Sequence, residues 1–264
     1  MFRHYTMAAI RGVMVLAFMA STAPVAQAQL VMYDDFSGGR LDPDRWNGKH
    51  NITNVGSGDL LEVQREINAA QQALVLQARV VGSTGWDGGF FSAENALALR
   101  RASTVSDIAF DVTVRRIDFG GCQAGPDAEA SARGVFALFN DGVGDVVAIV
   151  GVGRSSSDSA QSLSVSASLV YVADDGTKEL GSISLGAAAP GQTVRLRARW
   201  EQGKNRVRFG RDDAALAPID YTNPVVAKAG KPGKYFAALA TVPQCTVGAG
   251  NALVLASFDN VRVQ

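Results

Sequence analysis

Short segments in which apolar and polar residues alternate occupy most of the chain. An alternation with a period of two predicts β-strands, because successive side chains of a strand point to opposite faces. Turn-forming stretches such as NDGVGD and EQGKN separate these segments. Only INAAQQAL and AENALALRRAS hint at helix, and either could be strand or loop. The predicted strands cover residues 73–80, 108–117, 134–140, 145–153, 162–173, 179–185, 193–200, 206–210, 235–242 and 253–263.

This pattern predicts an all-β fold, a two-sheet antiparallel sandwich. One hairpin can be aligned residue by residue if QGKN is its four-residue loop. Arg199 then faces Arg208, and the pair would repel unless water, a carboxylate or an anionic ligand lies between them. The core-facing positions of this hairpin would be Val194, Leu196, Ala198, Trp200, Val207 and Phe209, with Arg195, Arg197, Arg199, Arg206 and Arg208 on the other face.

The first 28 residues have the pattern of a secretory signal peptide. Arg3 and Arg11 precede or flank a short apolar run, and AQA at residues 26–28 fits a cleavage site. The nine apolar residues of 12–20 are too few for a membrane span, which needs about 20. Removal of 28 residues from a chain of 264 leaves a single predicted domain, residues 29–264, secreted or periplasmic.

Charge and cysteine content limit the classes of function. The predicted mature chain has 23 basic and 25 acidic residues, so no basic excess favours nucleic acid as a partner. It has no further apolar run long enough to span a membrane. Cys122 and Cys245 predict one disulfide, because an even cysteine count in an oxidising compartment favours pairing.

Both ends of the chain carry a resemblance to a known family. YDDFSGGRLDPDRWN (residues 33–47) resembles the first strand and turn of concanavalin A-like lectin/glucanase domains, especially laminarinase-type glycoside hydrolases. SFDNVRV (257–263) resembles their last strand, which pairs near the first, and residues 61–79 resemble their second and third strands. The resemblance implies a concanavalin A-like jelly roll. It does not specify an activity, because this fold carries lectins, hydrolases, lyases and adhesion modules. In this opening, Trp46 is predicted to fill the core.

The catalytic carboxylates of the resembled glucanases are not found in the sequence. Those enzymes carry a run such as E-x-D-x-x-E on one strand, and none occurs here. In EVQRE, Glu62 and Glu66 would lie roughly 13 Å apart on an extended strand, too far for either glycosidase mechanism. Asp127 and Glu129 are better spaced, but their Gly/Pro/Ala-rich surroundings predict a solvated loop. His50, the single mature histidine, is predicted in a polar loop without the Gln–His motif of the related alginate lyases.

A binding role has more candidate residues. Glu62, Gln64 and Glu66 would share one strand face, which could line the polar concave sheet that sugars occupy in related folds. Trp86 lies among glycines and could stack on a sugar ring. Arg197, Arg199 and Arg208 would suit carboxylate groups, which makes acidic polysaccharides natural ligands. The alternatives are ordinary solvent-facing positions for the polar residues and packing beneath a loop for Trp86.

The resemblance also implies a structural calcium ion, although no cofactor is required. Related domains often clamp the first and last strands with one Ca²⁺, and Asp35 and Asp259 are the matching acids here. Ca²⁺ takes 6–8 oxygen ligands, which two side chains do not supply alone. The alternative is that these acids cap turns or pair with arginine.

Three hypotheses for function follow. The first is an exported, non-catalytic module that binds a glycan or belongs to the cell envelope. The second is a polysaccharide hydrolase or lyase with a divergent site. The third is a structural or adhesion protein with a protein partner.

Overall fold

A computed structural model describes residues 29–55, 60–82, 89–121, 127–140, 142–222, 231–245 and 248–264, without the side chains of 48–55 and 60–62. The described residues form fifteen strands and two short 3₁₀ turns, Ala102–Thr104 and Gln202–Lys204. The strands are β1 (Val31–Asp34), β2 (Trp46–Val55), β3 (Leu60–Asn68), β4 (Ala73–Val81), β5 (Phe90–Leu99), β6 (Asp107–Gly120), β7 (Glu129–Ala137), β8 (Val146–Ser155), β9 (Leu163–Ala173), β10 (Gly176–Ala188), β11 (Thr193–Glu201), β12 (Arg206–Arg211), β13 (Ala217–Asp220), β14 (Lys234–Pro243) and β15 (Asn251–Val263).

The strands form two sheets that pack face to face. The eight-stranded sheet has the order β13-β12-β11-β6-β15-β4-β3, with β1 paired to β15, and the seven-stranded sheet has the order β10-β9-β8-β7-β14-β5-β2. All of the described pairings are antiparallel. The predicted all-β class and two-sheet antiparallel jelly roll are therefore confirmed.

The two ends of the chain meet as the opening and closing sequences predict. β1 pairs with β15, with Val31 opposite Val263. The segment 61–79 forms the hairpin of β3 and β4. In this chain they are the third and fourth strands, because β2 precedes them. The main chain of His50 belongs to β2, which corrects the prediction that it lies in a loop.

Trp46 fills the core, as predicted, and is 1% exposed. Its ring stacks on Phe36 at 5.4 Å between centroids and lies 6.0 Å from Phe236 of β14. The indole Nε1 donates to Asp34 Oδ2 at 2.6 Å, so the polar atom of this buried ring is satisfied. Asp34 Oδ1 also accepts from the backbone N of Phe36 at 2.8 Å. The opening turn is thus fixed to both sheets through one side chain.

The hairpin of β11 and β12 has the predicted register. Arg199 pairs with Arg208, Trp200 with Val207, and Glu201 with Arg206. The predicted inward positions other than Trp200 are buried, and Trp200 is partly buried against the core. The register was predictable because loop length and alternation are both local properties of the sequence.

The two segments with a helical hint contain no α-helix. INAAQQAL ends β3, turns, and begins β4, whereas AENALAL lies in β5. β5 is a strand between β14 and β2, and its buried Asn95 points into the sandwich. Asn95 Nδ2 donates to the carbonyl oxygens of Gln64 at 2.8 Å and Gln77 at 2.9 Å. These hydrogen bonds join the two sheets. Whether this segment forms a strand or a helix therefore depends on tertiary contacts.

Two predictions fall wholly or partly outside the described residues. The signal peptide, residues 1–28, and Cys122 are not described, so both the signal and the Cys122–Cys245 disulfide stay predictions. Cys245 is 1% exposed. The neighbouring segments touch, because a Cβ built on Gly121 would lie 1.9 Å from the carbonyl oxygen of Ala249.

Within the part of the chain that the structure describes, no helix has the length and apolar character needed to cross a membrane.

Candidate functional site

A polar groove of about 430 Å³ lies on the outer face of the seven-stranded sheet. It crosses β7, β8 and β9, whose pairing places small and polar side chains next to one another. Its lining consists of Glu129, Ala130, Ser131, Arg133, Ile149, Gly151, Val152, Gly153, Arg154, Ser155, Asp158, Ser164, Ser166 and Ser168.

Two glycines of β8 form the floor of this groove. A Cβ on Gly153 would lie 2.5 Å from the carbonyl oxygen of Ala130, and one on Gly151 would lie 2.7 Å from that of Ala132. Both distances are too short for a real contact, and the atoms they meet are backbone. The close approach of β7 to β8 therefore requires glycine at both positions. The floor consequently presents main chain, without side chains that would fill the groove.

Serine hydroxyls stand on both sides of the glycine floor. In the register of the sheet, Gly153 lies between Ser131 of β7 and Ser164 of β9, and Gly151 lies opposite Ser166. On β9 the outward serines alternate with buried Leu163, Val165 and Ala167. Each hydroxyl can donate one hydrogen bond and accept others. The groove therefore offers donors and acceptors side by side.

One ion pair crosses the sheet beside the floor. Arg133 Nη2 of β7 lies 2.5 Å from Glu94 Oε2 of β5, although β14 runs between those strands. The side chains are 21% and 15% exposed. Since the pair is largely shielded from water, each charge is neutralised chiefly by the other.

The end of the groove near Ser155 is acidic. Glu129 begins β7 opposite Ser155, and Asp158 Oδ2 accepts from the backbone N of Ser155 at 2.7 Å. Asp127, just before β7, accepts from the hydroxyls of Ser156 at 3.1 Å and Ser157 at 2.5 Å. The prediction that residues 127–129 form a solvated loop is thus wrong for Glu129, which is a strand residue in the groove.

The second arginine of the lining directs its guanidinium away from the floor. Arg154 Nη2 donates to the carbonyl oxygen of Ile117 at 3.0 Å, and Cζ lies 4.7 Å from the ring centroid of Phe119. Both partners belong to β6 of the other sheet. Arg154 therefore fastens the two sheets together at this end of the sandwich.

The sequence-predicted ligand residues on β3 lie elsewhere. Gln64 and Glu66 are exposed on β3, at the edge of the eight-stranded sheet, and Gln64 Nε2 donates to Glu66 Oε2 at 3.0 Å. The main chain of Glu62 lies on the same strand, but its side chain and the whole of Trp86 are outside the described residues. The structure does not bring Gln64 and Glu66 to the groove, and their binding role stays a prediction.

The arginines predicted to meet an acidic ligand are paired within the chain. Arg197 donates from Nε and Nη2 to the buried carboxylate of Asp107 at 2.8 and 2.6 Å, and these bonds raise the pKa of Arg197. Arg199 lies 3.8 Å from Asp107, whereas Arg208 lies 3.1 Å from Glu201. Each arginine of the Arg199–Arg208 pair therefore lies near a carboxylate of its own, which offsets the repulsion that the sequence predicts.

One of the two candidate calcium residues, Asp259, lines a second polar cavity, of about 510 Å³, on the eight-stranded sheet. Asp259 faces Asp111 across β15 and β6, and Asn260 Nδ2 donates to both carboxylates at 3.0–3.1 Å. Burial raises the pKa of Asp259, and Asp111 and Asp35 raise it further. Asp35 Oδ1 accepts hydrogen bonds from the backbone N of Ser37 at 3.1 Å and from its hydroxyl at 2.7 Å.

The oxygen atoms of this cluster are therefore largely engaged by protein donors. Among the described residues, no group of three or more His, Cys, Asp or Glu side chains could hold a metal ion. The side chains do not fit the 6–8 oxygen ligands of Ca²⁺. The calcium ion stays a prediction that this arrangement does not support.

Sequence reasoning missed the groove itself. Its signal was the outward row of small residues in VGVG (150–153) and SLSVSAS (162–168), which alternates with buried valine, leucine and alanine. The row becomes a groove only because β8 pairs with β9 and β7 in this register. Glu94 and Arg133 meet for the same reason, since 39 residues separate them in sequence.

Comparison with known proteins gives similarity at the level of fold. No protein-family profile matches the sequence, and no curated protein sequence matches it. Among solved structures, a laminarinase from Flavobacterium sp. UMI-01 aligns with a TM-score of 0.44 and 9% identity over 88% of this chain and 100% of that chain. A GH16 protein from a mixed-linkage glucan locus of Bacteroides ovatus aligns with a TM-score of 0.48 and 11% identity over 88% and 98%. The carbohydrate recognition domain of Emp47p aligns with a TM-score of 0.31 and 12% identity over 84% and 99%.

The two-sheet antiparallel jelly roll of this chain is the type of fold that the sequence resemblance implies. At identities of 9–12%, these similarities concern the fold alone, and the same fold carries unrelated activities. Function must therefore be argued from the groove.

Proposed function

We propose that this chain is an exported, non-catalytic module that binds a polysaccharide in the groove of the seven-stranded sheet. The observation that supports the proposal is the lining: a floor of main chain at Gly151 and Gly153, flanked by hydroxyls such as Ser131 and Ser166. Sugars present many hydroxyl groups, so a row of small donors and acceptors suits them. The open floor leaves room for a chain that runs across the strands.

Strand β7 contributes three kinds of polar group to the groove. Successive outward positions of β7 are Glu129, Ser131 and Arg133, which supply one carboxylate, one hydroxyl and one guanidinium. The nearby carboxylate of Glu94 is held by Arg133. Beside the floor, a ligand therefore meets mainly hydroxyl and main-chain groups, which supports a binding role.

A glycan array on the mature protein, residues 29–264, tests the proposal. Each hit is followed by isothermal titration with the soluble oligosaccharide. Ser166→Tyr should fill the groove from β9 and weaken binding at least tenfold. Thr177→Tyr is the matched control, because Thr177 is exposed at the start of β10 and outside the groove lining. It should leave affinity within about twofold of wild type.

Two results would overturn the glycan-binding role, and a third would overturn its place in the groove. One is the absence of binding to any neutral or acidic glycan on the array. The other is release of reducing ends or unsaturated products from a bound polymer, which would assign catalysis. Equal weakening by both tyrosine variants would place the binding surface outside the groove.

A further inference from the structure

The charges around the groove suit a particular class of glycan. Four charged residues belong to the lining: Glu129, Arg133, Arg154 and Asp158. Their formal charges sum to zero. The contacts that each residue makes within the chain nevertheless differ, so a ligand would not meet the four charges equally. The two arginines are engaged, whereas the two acids face the end of the groove near Ser155.

Both guanidinium groups already hold partners within the chain. Arg133 lies 2.5 Å from the Glu94 carboxylate and is mostly shielded from solvent. Arg154 reaches the Ile117 carbonyl and the face of Phe119 on the opposite sheet. An anionic ligand would compete with these partners for the two guanidinium groups.

The acids of the groove have no cationic partner among the described contacts. Glu129 is exposed, and the contacts of Asp158 and Asp127 run to serine N–H and O–H groups, which leave their charges in place. With the Glu94–Arg133 pair neutral, the one positive charge of Arg154 is set against the three negative charges of Glu129, Asp158 and Asp127. The groove therefore carries an excess of negative charge at the end where its glycine floor meets Ser155.

We infer that the groove accepts uncharged glycans and rejects polymers that carry uronate or sulfate groups. This inference rests on the proposed glycan-binding function and specifies its ligand class. It also reverses the expectation of acidic ligands, because Arg197, Arg199 and Arg208 lie on the other sheet in ion pairs.

Matched polymers that differ only in charge test the inference. Three pairs serve: laminarin and carboxymethylated laminarin, dextran and dextran sulfate, and methyl-esterified polygalacturonate and polygalacturonate. Affinity electrophoresis and titration at about 20 mM NaCl give the affinities of wild-type protein. We expect at least one neutral polymer to bind, and its charged partner to bind at least about tenfold more weakly, because repulsion is strong at low ionic strength.

A variant without the two acidic charges tests whether they cause the preference for neutral over charged polymers. Glu129→Gln with Asp158→Asn keeps hydrogen-bond acceptors and removes two negative charges. It should raise the affinity for the charged polymer relative to that for its neutral partner about threefold to tenfold at low salt. Asp44→Asn with Asp213→Asn, two exposed acids outside the groove, is the matched control and should change neither affinity.

The outcomes separate the inference from the proposed function. If a charged polymer binds as tightly as its neutral partner, and Ser166→Tyr abolishes that binding, glycan binding in the groove stands and the charge selectivity is wrong. An unchanged preference in the Glu129/Asp158 variant also overturns the selectivity argument. If no polymer of any pair binds, the proposed function fails and the inference fails with it.

Discussion

The guanidinium of Arg133 reaches over β14 to the carboxylate of Glu94, with 2.5 Å between Nη2 and Oε2. The two residues belong to β7 and β5, which are not neighbours in the sheet. Their contact fixes the outer face of the seven-stranded sheet beside the groove. The Glu94 carboxylate also neutralises the positive charge of Arg133, so that this charge attracts an anionic ligand less strongly.

Glu94→Gln should destabilise the protein by about 1–3 kcal/mol, because it leaves the partly buried Arg133 without its countercharge. Urea unfolding at pH 7 measures this loss. Asp175→Asn is the control, since Asp175 faces Lys178 in an exposed pair and should change stability by less than about 0.5 kcal/mol. Equal effects of the two variants would mean that the Glu94–Arg133 pair contributes no more than a surface contact.

Gly153→Ala should lower stability by about 1–3 kcal/mol, because the added methyl group meets the backbone of β7 and forces the strands apart. Gly203→Ala is the comparison, since a Cβ there meets nothing within 4 Å. Thermal unfolding of both variants measures the difference. A Gly153→Ala protein as stable as wild type would show that β7 and β8 can separate at no cost, contrary to the closely packed floor.

Trp46→Phe should cost about 2–4 kcal/mol, because it removes the donor to the buried Asp34 carboxylate as well as part of the core volume. Trp200→Phe removes a comparable donor, but its partner is the neutral hydroxyl of Tyr221 at 2.9 Å. The loss at Trp200 should therefore be smaller, about 1–2 kcal/mol. Chemical denaturation followed by circular dichroism compares the two, and the reverse order would contradict the assigned role of Asp34.

The mature protein should contain a Cys122–Cys245 disulfide. Gly121 contacts Ala249, which brings the chain beside each cysteine to the same end of the sandwich. Peptide mapping by mass spectrometry without reduction should find the linked peptides. Reduction should cost about 2–5 kcal/mol, because the bond closes a long loop in the unfolded chain. Two free thiols in protein isolated from an oxidising compartment would contradict this prediction.

The sequence was sufficient wherever the deciding interactions are local. The alternation in β11 and β12 and the QGKN loop set the Arg199–Arg208 register. The aromatic and turn residues of the opening likewise placed Trp46 in the core. The local pattern did not distinguish helix from strand at β5, because Ala and Leu occur readily in both. The strand forms through pairing with β14 and β2.

Alternation and turn motifs thus establish a class of fold, the inward and outward faces of its clearest strands and the identity of one core tryptophan. Which outward residues meet depends on strand pairing in the folded chain. This pairing placed Arg197 against Asp107, Arg133 against Glu94, and the glycines of β8 between the serines of β7 and β9. The reason is physical: pairing between strands distant in sequence is set by the packing of both sheets, and the site consists of side chains that this pairing brings together.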